Sequence, residues 1–258
     1  MSSNAPPNRM RLDGRIALVA GAGKGLGREI AIGLAEAGAD VAVLARTTSD
    51  LESVAGDIRK TGRNAVVLTA DATRSSDVEA AVQTVLGACG RIDVLVHSVG
   101  GSLRKPVVDL TDEEWDRLIR SNLTSAFFVC RAVGRIMRSQ RAGSIINIAS
   151  AAGLRGRPSN APYSAAKAGL INFSRALAME WAPDGVRVNT LAPGRFLTPL
   201  TEPEMSDPAR LAAFVKQVPL GRIGQPAEIK EIAVWLASEA SSFVTGAVIV
   251  IDGGQTLL

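Results

Sequence analysis

The stretch "IALVAGAGKGLGREIAIGLAEAG", residues 16–38, decides the architecture. It opens with the apolar run Ile16–Ala20 and passes through Gly21, Gly25 and Gly27 at G-x-x-x-G-x-G spacing. It then continues with Leu26, Ile30 and Leu34 at helical intervals. A short apolar run, a glycine turn and an amphipathic segment, in that order, read as the first strand, turn and helix of an open α/β sheet. Glycine permits the tight turn and lets a phosphate approach the backbone. Free N–H groups at the helix start then face that anion, so the segment reads as a dinucleotide site.

The rest of the chain repeats that rhythm. Apolar runs at 41–45, 65–70, 92–96, 144–150, 186–192 and 247–251 are short and weakly alternating. Parallel strands buried on both faces have that texture. Between them Leu51, Val54 and Ile58 share a helical face, as do Val78, Val82 and Leu86, and Ile229, Ile232 and Leu236. Ser49 with Glu52, Ser76 with Glu79, and Thr111 with Glu114 each fit a capping box, and Pro226 suits the first turn of the last long helix. The pattern predicts a Rossmann-type, doubly wound, seven-stranded parallel sheet in a single domain over 12–258. A flexible polar arm is expected over 1–11.

Composition narrows the classes. The 258 residues are 47% hydrophobic and 21% charged, a globular balance with enough chain for a full core. Two cysteines, Cys89 and Cys130, form neither a metal spacing nor a disulfide framework, which suits a reducing cytoplasm. No apolar run reaches the length of a membrane span, and the start lacks the apolar core of a secretion signal. The formal charge of +4 is scattered and aromatics are only 4%, which argues against nucleic acid and for an anionic small ligand.

The second strand ends "VLARTT" (43–48), with Arg46 where an NAD-selective site usually has an acid on the ribose hydroxyl. Lys24 lies within the glycine turn, aimed at the same region. Two cations suit a 2′-phosphate, so the cofactor reading is NADP(H). Further on, "PYSAAKAG" (162–169) holds Tyr163, the only tyrosine, with Lys167 on the same helical face. An ammonium beside a phenol favours the phenolate and draws its pKa toward the working range. Ser150 ends the preceding strand at its carboxyl end, where ligands bind in such sheets.

The motifs "AGAGKGLG" (20–27), "DAT" (71–73), "HSVGG" (97–101), "SNLTS" (121–125), "NIAS" (147–150), "YSAAK" (163–167), "NTLAPG" (189–194) and "IDGG" (251–254) follow in order. On these the chain resembles the short-chain dehydrogenase/reductase family over about residues 12–258. The resemblance implies a catalytic tetrad of Asn122, Ser150, Tyr163 and Lys167. In it Tyr163 gives a proton to the substrate oxygen as hydride leaves the nicotinamide, and Ser150 positions that oxygen. Lys167 lowers the phenol's pKa and binds the nicotinamide ribose, and Asn122 holds a water through a local distortion of its helix. Asp71 is expected at the adenine with Ala72 among the cofactor contacts, and Ser98 in the cofactor pocket. Pro193 and Gly194 are expected beside the nicotinamide amide, and Thr198 at that amide or the pyrophosphate.

The chain also departs from the family pattern. Ala20 replaces a usual threonine, and His97 and Ser98 replace two asparagines, so altered local hydrogen bonding is expected there. His97 is the only histidine and Val96 stands where a hydrolase elbow has glycine, so a Ser–His–acid reading fails. No His/Cys/acid cluster suggests a catalytic metal.

Residues 195–220 break the rhythm with several prolines and a short amphipathic piece, the pattern of a lid. Phe196, Leu200, Met205, Leu211 and Phe214 make the expected pocket partly apolar, while Glu202, Glu204 and Asp207 argue against a strongly anionic substrate. The chain is similar to 3-oxoacyl-carrier-protein reductases, with Arg131, Arg135, Arg138 and Arg141 as a docking patch for an acidic carrier. Met179 stands where relatives of that type often have a basic residue. It is also similar to sugar and polyol dehydrogenases of the gluconate 5-dehydrogenase type. The leaning is to NADPH-dependent carbonyl reduction, with an acyl thioester first and a sugar or polyol as the alternative. A non-catalytic cofactor sensor is disfavoured because all four tetrad positions are retained. The resemblance further implies a homotetramer, or a homodimer, built on helices at about 111–139 and 161–181.

Overall fold

The computed structural model describes residues 8–258. Seven strands, β1 (Ile16–Ala20), β2 (Asp40–Ala45), β3 (Ala65–Thr69), β4 (Val94–His97), β5 (Gly143–Ile148), β6 (Val186–Pro193) and β7 (Val248–Ile251), form one parallel sheet. Their order is β3-β2-β1-β4-β5-β6-β7, so the chain reverses direction across the sheet between β1 and β4. Register sets Ala20 opposite both Leu44 and His97, which brings three carboxyl ends level at that reversal. Crevices of this kind hold ligands in open α/β sheets.

The weak alternation of the strands has a simple cause. Val19 packs into one apolar cluster with α1 (Gly25–Glu36), α2 (Thr48–Lys60) and α9 (Lys230–Ala237). Its neighbours Leu18 and Ala20 pack on the opposite face against α3 (Ser75–Cys89), α5 (Ser125–Gln140) and α6 (Ala161–Trp181). Both faces are dry, so both parities of each strand are apolar.

Local signals were met unevenly. Thr111 caps α4 (Asp112–Ile119) as a full box: Glu114 N donates to its hydroxyl at 3.2 Å, and Thr111 N donates to the Glu114 carboxylate at 3.0 Å. The boxes expected at Ser49 and Ser76 do not form, because both serines already lie inside helices capped by Thr47 and Arg74. Asp50 and Asp77 in those first turns turn instead toward Lys24 and the Asp71 N–H. Pro226 opens a 3₁₀ turn, Pro226–Ile229, that leads into α9. The helix expected over 111–139 carries the local distortion expected at Asn122: a π-helical turn, Arg120–Thr124, separates α4 from α5. The expected lid folds as α7 (Glu202–Met205) and α8 (Pro208–Val215).

Of the expected arm, residues 1–7 lie outside the described residues, and Arg9 donates to the Glu239 carbonyl at 2.7 Å. Among the described residues no helix is long and apolar enough to cross a membrane.

Thr111→Ala should lower the unfolding free energy by about 1 kcal/mol. Ser49→Ala should leave it within about 0.5 kcal/mol. Urea denaturation of the two variants beside the parent checks this pair.

Candidate active site

A cleft of about 560 Å³ opens where the sheet reverses, lined from the glycine turn to the start of α6. Gly21 has φ +84°, and a Cβ there would lie 2.7 Å from the Ser98 carbonyl. Gly27 is tighter: its Cβ would sit 2.1 Å from the Gly21 carbonyl. Gly27 therefore seats α1 on the turn from behind, while Gly21, Lys24, Gly25 and Leu26 line the cleft itself. The first turn of α1 holds no acid, so its positive dipole end is left for an anion.

At the far end of this half lie Arg46, Asp71 and Ala72. Burial would raise the Asp71 carboxyl, but bonds from Thr73 N at 2.9 Å and Thr73 Oγ1 at 2.8 Å hold it below the usual carboxylate range. Lys24 Nζ is 3.2 Å from Asp50, a carboxylate that no motif marked. Arg46 is exposed and makes no ion pair among the described residues. A 2′-phosphate thus fits Arg46 directly and Lys24 in competition with Asp50. Ser98, Pro193, Gly194 and Thr198 also line the cleft.

The opposite wall gathers Asn122, Ser150, Tyr163 and Lys167. β5 stops at Ile148, and Ser150 caps the following 3₁₀ turn, accepting from Ala152 N at 3.1 Å. Tyr163 lies in the first turn of α6, half-buried. Lys167, one turn on, is buried and donates from Nζ to the Ile148 carbonyl at 2.8 Å. Burial alone pushes this lysine down to about 8.

The expectation that Lys167 draws down the phenol's pKa is not met here. Its Nζ lies 5.7 Å from the ring centroid. Burial raises the phenol, and the groups acting against that are the Ser150 side chain and the charge of Arg157.

Asn122 sits in the π turn, fully buried. Its amide nitrogen donates to the Leu118 and Gly101 carbonyls, each at 2.9 Å, and its Oδ1 has no partner among the described residues. That oxygen lies against Gly100, and a buried carbonyl oxygen without a partner invites a donor.

His97, where the family pattern has asparagine, is fully buried at the end of β4. Its Nε2 is 3.0 Å from Ser125 Oγ, and that hydroxyl donates to the Ser121 carbonyl at 2.7 Å. One hydroxyl proton cannot serve both bonds, so Nε2–H donates and Nδ1 is the bare nitrogen. Burial, helped by the Lys167 charge, pushes the imidazole down to about 3.

The basic patch expected on α5 is largely spent internally. Arg131 bonds Ser75 Oγ and stacks 4.7 Å over Phe127, and Arg135 pairs with Glu79 at 3.2 Å. Arg138 and Arg141 share Asp184. Two of the three acids of the 195–220 segment are occupied too: Glu204 pairs with Arg104 at 2.8 Å and Asp207 caps α8. Sequence reasoning missed Arg157 and Arg195, which no motif flags and which stand near the phenol and beside Gly194.

The family model described as enoyl-(acyl carrier protein) reductase matches residues 21–256. A 3-oxoacyl-[acyl-carrier-protein] reductase of Vibrio harveyi is 38% identical over 249 residues, 96% of this chain and 100% of that protein. A gluconate 5-dehydrogenase of Gluconobacter oxydans is 37% identical over 251 residues, 97% and 98% of the two chains. A solved gluconate 5-dehydrogenase from Burkholderia cenocepacia, in complex with NADP and tartrate, superposes with TM-score 0.93 at 38% identity, over 97% and 98% of the two chains. The chain belongs to the short-chain dehydrogenase/reductase family of oxidoreductases.

Because His97 titrates near 6.5 when unfolded but is held down to about 3 when folded, the unfolded state binds its proton first. Stability should therefore fall as pH drops from 6.5 toward 3, by about 1.4 kcal/mol per unit from this group. His97→Asn should remove that component of the slope, read from urea melts at several pH values.

Proposed function

We propose that this protein reduces a small-molecule ketone, or oxidises the matching secondary alcohol, with NADP(H) and the tetrad Asn122, Ser150, Tyr163 and Lys167. The observation that carries the reading is the convergence of that phenol, the buried ammonium and a bare amide oxygen on one wall of the glycine-turn cleft. The solved neighbour with NADP bound supports the cofactor, as does the unpaired charge of Arg46. Gly21, Lys24, Gly25, Leu26, Asp71, Ala72, Ser98, Pro193, Gly194 and Thr198 are the proposed contacts along it, with Gly27 behind the turn.

Bound NADPH supplies a hydride to the carbonyl carbon. Tyr163 gives its proton to the carbonyl oxygen, and the Ser150 hydroxyl holds that oxygen in reach. Lys167, with its pKa near 8, keeps a proton that can be exchanged at neutral pH and holds the wall together through Ile148. Asn122 Oδ1 is the acceptor that orders a water on the way to solvent.

For the substrate, the paired state of Arg135, Arg138 and Arg141 weakens docking of an acidic carrier. We therefore place a small polar keto or hydroxy compound ahead of a carrier-bound thioester, for which the similarity to the Vibrio harveyi enzyme still speaks. Phe196, Thr198 and Leu200 border the cleft, which supports residues 195–220 as its lid. Assembly as a homotetramer through α4 to α6 is part of the same proposal, supported by the exposed Phe127 and Met179. So is a cytoplasmic location, with both cysteines as free thiols.

Tyr163→Phe should bind NADPH as the parent does while turnover falls roughly 10²–10⁴-fold, because only the proton donor is gone. Turnover retained in that variant on a panel of small ketones and an acetoacetyl thioester would remove the tyrosine from its role. Arg46→Asp should weaken NADPH about 10–100-fold with little change for NADH, measured by fluorescence titration.

A further inference from the structure

Three guanidinium groups lie on the loops that follow the strands around the cleft: Arg104 after β4, Arg157 after the Ser150 turn, and Arg195 after Pro193–Gly194, which lines a smaller cavity with Phe196 and Asp252. The first two loops are tied, with Lys105 N donating to the Ser159 carbonyl at 2.8 Å and Ser102 Oγ to Asn160 Oδ1 at 3.3 Å. Arg104 and Arg195 both face the Phe214 ring of α8, at 5.8 and 3.6 Å from its centroid. The charge of Arg157 reaches the Tyr163 phenol.

Acids balance this cluster only in part, with the two carboxylates of Glu204 and Asp252 against three guanidinium groups. Glu204 neutralises Arg104. Asp252 stands near Arg157 and offsets part of its charge, while its oxygens also accept from Gly254 N at 2.9 Å and Thr256 N at 2.7 Å. Arg157 donates to the neutral Gln255 Oε1 at 2.8 Å and pairs with no acid among the described residues. Arg195 has no side-chain hydrogen bond or ion pair among them, and its Nε is buried and bare. Both groups are half-buried. Burial, then the neighbouring guanidinium charges, pulls both below the ordinary arginine range, Arg195 to about 10. Adjacent desolvated cations in excess over their acids are costly, and an incoming anion offsets that cost. A guanidinium stacked on a ring keeps its planar edge free, and that edge matches a carboxylate with two parallel bonds.

We propose that the substrate carries a carboxylate held by Arg157 and Arg195, which makes the enzyme's substrate a small keto acid or hydroxy acid. This rests on the reading of the cleft as a carbonyl-reducing site. The carboxylate supplies the one further acid that the three guanidinium groups lack and fixes the distance of the ketone from Tyr163. Through Phe214 the same arginine links the seat to α8.

The test is NADPH oxidation with acetoacetate, levulinate and 5-oxohexanoate, each beside its methyl ester, which has the same ketone without the charge. At least one acid should exceed its ester about tenfold or more in kcat/KM, as a charge-assisted bond would give. Arg157→Gln and Arg195→Gln should each collapse that ratio toward one, chiefly through KM. Calorimetric titration of the same acids into the NADP-loaded enzyme needs no turnover and should show the same order.

Esters that react and bind as well as the acids, or a preference untouched by either substitution, would overturn the proposal. Acids that bind through both arginines without turnover would leave the carboxylate seat standing and sink carbonyl reduction instead. Esters that turn over equally well, in a manner lost in Tyr163→Phe, would do the reverse.

Discussion

No side chain fits between the start of α1 and the turn before it. Even a methyl group on Gly27 would overlap the Gly21 carbonyl. That contact fixes the N-terminus of α1 at the level where β1, β2 and β4 end together. The rest of the cleft is measured from this corner. One arm of it runs along the β2 and β3 ends to Arg46 and Asp71, the other across β4 and β5 to the phenol and the ammonium. A sheet that reverses its strand order beside the glycine turn gives both arms a common floor.

The two arms end in opposite electrostatic situations. Near the nucleotide end Lys24 is shared with Asp50, and Arg46 faces solvent. Beyond the other end two guanidinium groups are partly stripped of water and form no ion pair among the described residues. Between them sits a dry polar wall in which burial dominates: it raises Tyr163, lowers Lys167 and keeps His97 neutral. The π turn belongs to this wall. Ser125 takes the Ser121 carbonyl and receives the imidazole proton, so the distorted turn is anchored to β4 from behind.

Much of this was legible in the residues. Seven short apolar runs coincide with the seven strands to within a residue or two at most ends, because strand length and two-sided burial leave a plain pattern. The cleft residues came from local motifs, and all but Gly27 line it. Capping was less legible, since Ser49 and Ser76 have the right spacing but the helices start before them. A box signature does not say where the first turn begins. The pairing of the α5 arginines depends on Glu79 and Asp184, which are far away in the chain. Arg157 and Arg195 lie on three-dimensional neighbours with no shared motif, so only the fold reveals that they stand together. The sequence likewise set Lys167 against the phenol by helical spacing, while the backbone carbonyl of Ile148 claims its proton.

The wall has one more property. The chain contains a single tyrosine and a single histidine, and both belong to this site or its immediate backing. Protein labelled isotopically at tyrosine alone yields one ring signal, and at histidine alone one imidazole signal. Crowded spectra are the usual obstacle in a chain of 258 residues, and here each label isolates its own reporter. Ligand arrival at the phenol and strain in the π turn's anchor can thus be followed separately, at atomic resolution, without substituting any residue.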